Sequence, residues 1–134
     1  MFLSRLSLME AAIEYAKNDL YIFPVESLKH KLQTNKLECT CSGKCRHKGD
    51  ICNGWCVKCA PGKHPANGKG FKEATTKLEI IKQWWGINDN YNIGIVPGIS
   101  GFNVIDVDPK NGGIESLSDL IKKEGDLGFD TAPC

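Results

Sequence analysis

A chain of 134 residues is one domain's worth, and 41% hydrophobic with 25% charged residues is ordinary globular composition. That composition excludes a collagen-like, low-complexity or strongly disordered chain. No apolar run approaches the ~20 residues needed to span a bilayer, so no membrane role is expected. Arg5, Glu10 and Glu14 interrupt the apolar opening that a secretory signal would keep unbroken. A cytoplasmic location is therefore expected.

The net charge of +1 conceals an asymmetry. Lys29 to Lys72 carries ten Lys/Arg against Glu38 and Asp50 alone, a local charge of +8, and the remainder carries −7. A basic block of this kind suits a polyanion partner, and a solvated lysine-rich loop would have the same composition.

In chain order, Ser7 and Glu10 have capping-box spacing, and Leu8, Met9, Ala12, Ile13 and Ala16 recur at helical spacing. They predict a helix from about Leu8 to Asn18. Tyr21 to Val25 reads as a short strand, with Pro24 suggesting an edge or exit position. Residues 35–70 lack periodicity and are rich in Cys, Gly, Lys and Pro. A loop that long needs something other than a core to order it. Thr76 and Glu79 suggest a second capping box. The i,i+4 pairs Ile80/Trp84 and Ile81/Trp85 suggest a helix stopping near Gly86, with both tryptophans in the core. Asn92 to Val96 and Phe102 to Val107 read as strands joined by a turn at Pro97, Gly98, Ser100 and Gly101. A last helix carries Ile114, Leu117, Leu120 and Ile121 on one side.

Six of the seven cysteines lie between Cys39 and Cys59. In a reducing compartment such a cluster reads as a metal site rather than as disulfides. Zinc takes four N or S ligands, usually from two close-spaced pairs. Cys56 and Cys59 make one half-site, and Cys39/Cys41 or Cys41/Cys45 the other. His64 is a further donor, Cys45 and Cys52 are lesser candidates, and a second zinc would use the surplus. His30 reads as a surface residue.

Asp106 and Asp108 sit two residues apart in Asn103-Val-Ile-Asp-Val-Asp-Pro109, at the end of the predicted Phe102–Val107 strand. On a strand both would face one side, their Cβ atoms roughly 6–7 Å apart. That suits carboxylates sharing divalent ions such as Mg²⁺ or Mn²⁺. Alone, an Asp-x-Asp before Pro serves a turn equally well.

Three segments share one resemblance. They are the opening helix with Tyr21-Ile-Phe-Pro-Val25, the stretch Gly62-Lys-His-Pro65 running to Thr76, and Ile80 to Gly113 with Asn92-Ile-Gly-Ile95 and Val104-Ile-Asp-Val-Asp-Pro109. Together they resemble the bifunctional DNA primase/polymerase N-terminal domain, the prim-pol branch of the archaeo-eukaryotic primase superfamily. The resemblance implies an α+β (mixed α/β) fold, a small sheet packed with helices, with the strand ending at Asp106–Asp108 central. It implies template-directed nucleotidyl transfer in plasmid- or phage-type replication, with Asp106 and Asp108 holding the catalytic Mg²⁺ or Mn²⁺. The partners it implies are DNA template and primer, nucleotides, and a fused or separate helicase. Lys63, Lys69 and Lys72 are the nucleic-acid or nucleotide contacts expected of the basic block. Residues 1–134 are then expected to be the N-terminal part of one such domain, with residues 35–70 as a zinc-stabilised loop. The phosphate-contacting histidine and the third carboxylate of the family would fall beyond Cys134, so these residues by themselves are expected to be inactive. A non-catalytic, zinc-stabilised nucleic-acid-binding module is the main alternative reading, and a metal-dependent nuclease using the same aspartates is a third.

Overall fold

The structure is a computed structural model, and it describes residues 6–33, 37–41, 60–125 and 128. Its elements are α1 (Leu8–Lys17), β1 (Ile22–Val25), β2 (Leu28–His30), β3 (Leu37–Cys39), α2 (Leu78–Ile87), β4 (Asn92–Ile95) and α3 (Gly113–Glu124), with short 3₁₀ turns between them. This is the expected mixed α+β class. The chain forms two compact units, residues 1–102 and 103–134.

In the first unit the opening of α1 follows its sequence closely. The Ser7 hydroxyl accepts from Glu10 N–H at 3.2 Å, and the Glu10 carboxylate accepts from Ser7 N–H at 2.7 Å. Two donors at the helix start are thereby satisfied. Those hydrogen bonds also hold the Glu10 carboxyl below the usual range. The helix ends in a left-handed residue, Asp19, with φ of 61°. Leu20 N–H then bonds Tyr15 O at 3.1 Å and Asp19 N–H bonds Ala16 O at 3.0 Å. This Schellman arrangement turns Leu20 back toward the core.

β1 pairs antiparallel with β4 in the register Ile22↔Ile95, Phe23↔Gly94, Pro24↔Ile93 and Val25↔Asn92. Alternation places Ile22 and Pro24 on the buried face. Ala12 and Ala16 of α1 and Ile81 and Trp85 of α2 close over Ile22. Small residues on α1 let the helix approach closely enough for the indole of Trp85 to fill the space, and its Nε1 donates to Tyr91 O at 2.9 Å. Trp84 is only half-buried, so one of the two expected core tryptophans packs at the edge of the core.

Pro24 does not mark a bare edge. On the side away from β4, Ile22 bridges to Thr75 and Val25 to Pro65, and Ala66 N–H bonds Pro24 O at 2.9 Å. β2 and β3 form a second antiparallel pair, Leu28↔Cys39, Lys29↔Glu38 and His30↔Leu37. His30 is exposed there, as expected. Residues 35–70 are therefore not uniformly irregular, because β3 and the Pro65 bridge lie within them.

Two local expectations fail. The second capping box does not form, because α2 starts at Leu78 with Lys77 as its uncapped N-cap residue. Thr75 supplies the nearby side-chain contact instead, its hydroxyl accepting from Lys77 N–H at 3.1 Å. Its backbone is already paired with Ile22. α2 also runs one residue past Gly86.

Residues 102–108 form no strand, so the central strand expected to end at Asp106–Asp108 is absent. Val104, Ile105 and Val107 supply a strand's β-branched composition but not its partner, and a strand requires a paired neighbour. A 3₁₀ turn, Pro109–Asn111, leads into α3, whose apolar stripe has no buried residue.

A glycine is required where Phe23 crosses β4. A Cβ added at Gly94 would lie 2.5 Å from the Phe23 ring. Gly94→Ala is expected to destabilise the chain by about 1–3 kcal/mol, the usual cost of overpacking. In a Phe23→Ala background that cost should largely vanish, as denaturant unfolding of the four variants would show.

Candidate functional site

The described residues bring together one group of metal-ligating side chains, Cys39, Cys41 and His64, with donor atoms all within 4.8 Å of one another. Each arrives by a different backbone constraint. Cys39 ends β3 and is fully buried, and Cys41 lies two residues on, also buried. His64 is carried by the segment that crosses β1, where its carbonyl accepts Glu26 N–H at 2.8 Å. A turn, Lys63 N–H to Ala60 O at 2.9 Å, precedes it.

The Cys39 sulfur sits 3.9 Å from both ring nitrogens of His64. Rotation of the imidazole would decide which nitrogen faces an ion. Two thiolates and an imidazole around one tetrahedral zinc would stand roughly 3.5–3.8 Å apart, given bonds of about 2.3 Å to sulfur and about 2.0–2.1 Å to nitrogen. The group needs only a small contraction to reach that spacing.

Gly62 contributes through its backbone. Its φ of +74° is a conformation few side chains accept, and an added Cβ would press to 3.0 Å from Leu28 Cγ. In this pose its N–H donates to Cys39 Sγ at 3.4 Å, and its carbonyl accepts from Asn92 Nδ2 at 3.3 Å. Burial pushes the Cys39 thiol above its ordinary pKa, and the Cys41 side chain adds to the rise. N–H donors from Cys41 and Gly62 oppose it without cancelling it. Such a thiol stays protonated near neutrality unless a cation compensates. A bound dication supplies that compensation and deprotonates the sulfur. Two buried sulfurs and an imidazole are therefore a donor set that could hold a metal.

The other expected cysteine ligands, Cys45, Cys52, Cys56 and Cys59, lie outside the described residues. A tetrahedral ion would need one donor beyond the three assembled here.

Asp106 and Asp108 belong to the second unit, and both are exposed. Asp106 makes no hydrogen bond or ion pair among the described residues. Asp108 caps the following turn: Oδ1 accepts Lys110 N–H at 2.9 Å and Oδ2 accepts Asn111 Nδ2–H at 2.6 Å. Its carbonyl accepts from Gly113 N–H at 2.9 Å, so Asn111-Gly112-Gly113 folds back on it. A carboxylate offers about four lone-pair sites, so these two side-chain bonds leave room for further ligation.

Lys63, Lys69 and Lys72 are all exposed and form no ion pair among the described residues. Phe71, between the last two, is exposed as well. No helix among the described residues is long and apolar enough to cross a membrane.

Sequence reasoning did not single out Glu26, Thr40 or the Gly62 N–H. Glu26 is a buried acid directly after a strand, and Thr40 sits between two cysteines. Neither position stands out in a linear pattern.

The chain is thus a small α+β protein with two buried cysteines beside a half-buried histidine, and an exposed Asp-x-Asp turn. The family model for the bifunctional DNA primase/polymerase N-terminal domain matches residues 12–133, and the chain belongs to that family. Comparison with curated proteins and with solved structures finds no match.

The Cys39–Cys41–His64 group predicts that a thiophilic divalent ion stabilises the chain. Zinc at about 100 times its dissociation constant should add about 2.7 kcal/mol to unfolding stability. Because the thiols and imidazole must lose protons to bind, affinity should fall as pH falls. Thermal unfolding with and without zinc, at two pH values, measures both effects. Cys39→Ser should abolish the zinc-dependent increment.

Proposed function

We propose that this chain takes part in template-directed nucleotidyl transfer, primer synthesis and DNA extension in plasmid- or phage-type replication. The family match over residues 12–133 carries this reading, and it includes the whole Val104 to Pro109 segment. Asp106 and Asp108 are the proposed ligands for Mg²⁺ or Mn²⁺, as hard carboxylate oxygens suit those ions. When bound, the divalent ions supply Lewis-acid activation of a 3′-hydroxyl and neutralise charge on the triphosphate. The turn contacts at Asp108 orient its carboxylate before any ion arrives. Asp106, exposed and without a hydrogen bond among the described residues, can rotate toward a shared ion.

Lys63, Lys69 and Lys72 are the proposed contacts to phosphates of template, primer or nucleotide, which makes binding salt-dependent. A helicase, fused or separate, is the proposed partner that exposes template. Cys39, Cys41 and His64 are proposed to hold a structural zinc that fixes the cysteine-rich loop.

A second reading, a non-catalytic zinc-stabilised nucleic-acid-binding module, draws on one observation. Both Asp108 oxygens already have a structural task in the turn. The two readings diverge on one variant of the full-length protein, Asp106→Asn with Asp108→Asn. Asn caps about as well as Asp, so stability should change by less than about 1 kcal/mol. The anionic ligands are lost, so primer extension should fall about 10²–10⁴-fold, as several kcal/mol of charge stabilisation disappears. DNA binding should persist. A double variant with lowered stability and unchanged specific activity would contradict the catalytic reading.

A further inference from the structure

We propose that Glu26 and Thr40 are positioning residues of the cysteine–histidine metal centre. This inference rests on the zinc reading of that centre. Glu26 follows β1 directly and is only 8% exposed. The fold alone does not account for a carboxylate there, since burying one is costly unless it is hydrogen-bonded. Its partner is the hydroxyl of Thr40, which donates to Glu26 Oε2.

Thr40 is the residue between the two thiols. It also pairs with Ser27: Ser27 N–H donates to Thr40 Oγ1 at 2.8 Å, and Thr40 N–H donates to Ser27 O at 2.8 Å. The backbone of Glu26 meanwhile holds the third donor, through its N–H to His64 O at 2.8 Å. Its carbonyl accepts from Asn92 Nδ2 at 3.4 Å, the same amide that reaches Gly62 O. One residue thus grips both halves of the centre. Its side chain fixes the Cys39-Thr40-Cys41 turn, and its main chain fixes the segment bearing His64.

Glu26 is not itself in the ligand group, whose members are Cys39, Cys41 and His64. It acts from behind the ligands. Carboxylates and hydroxyls in such places set ligand orientation, and their loss typically costs 10–100-fold in metal affinity.

The test is a cobalt(II) titration of the full chain, read by sulfur-to-cobalt charge-transfer and d–d absorption. Affinities come from competition with a chromophoric chelator, and thermal unfolding is followed in parallel. Glu26→Leu and Thr40→Val should each weaken cobalt binding about 10–100-fold and shift the d–d bands. Thr40→Ser keeps the hydroxyl, and Glu26→Gln keeps an acceptor oxygen for it, so both should stay near wild-type affinity and spectrum. Glu26→Leu removes the acceptor at similar volume and carries the test if Thr40→Val does not fold. A purely structural clasp would lower the unfolding temperature while leaving affinity and band positions at wild-type values, and that result overturns the proposal. A wild-type chain that takes up no cobalt overturns the zinc reading first and this inference with it. Wild-type uptake with Glu26→Leu and Thr40→Val unaffected overturns this inference alone.

Discussion

The backbone of Ile22 to Glu26 is the constraint on which the first unit depends. This segment is hydrogen-bonded on both sides, to β4 on one and to Thr75, Ala66 and His64 on the other. One face of β1 supplies Ile22 to the core beneath α1 and α2. The continuation of the strand at Glu26 and Ser27 reaches Thr40 and His64. Core and metal-ligating group therefore share one short stretch of chain. Moving β1 would disturb the Ile22–Trp85 packing and separate the cysteines from the histidine together.

The chain offers two sets of donors of different chemical character. Two buried thiols and a half-buried imidazole suit a borderline-soft ion, and exposed carboxylates suit a hard one. A structural ion at the cysteines and exchangeable Mg²⁺ or Mn²⁺ at the aspartates would make different demands on the chain: permanence in one case, access for nucleotide in the other.

Local interactions were legible in the sequence, and pairings at a distance were not. The Ser7–Glu10 box needs only four residues, and it formed as read. The Thr76–Glu79 pattern is identical in spacing, yet the pairing of Thr75 with Ile22, 53 positions away, accompanies a helix start at Leu78 without that cap. The strand expected over Phe102–Val107 failed for the complementary reason: its β-branched composition suits a strand, but no partner pairs with it among the described residues. The mixed α+β class and the family were recoverable from composition and motif, and Cys39, Cys41 and His64 were among the wider set of donors the spacing offered. Which three donors converge, and that Glu26 and Thr40 stand behind them, depends on the β2–β3 register and on the contact between Glu26 and His64. No linear pattern encodes either.

X-ray absorption at the zinc edge, on the zinc-loaded chain, tests the organising role of the cysteine–histidine centre most directly. The account predicts sulfur scatterers at about 2.3 Å and a nitrogen scatterer at about 2.0–2.1 Å. Outer-shell features of an imidazole should accompany the nitrogen and disappear in His64→Ala. A first shell made only of oxygen and nitrogen, or imidazole features that persist in His64→Ala, would contradict it.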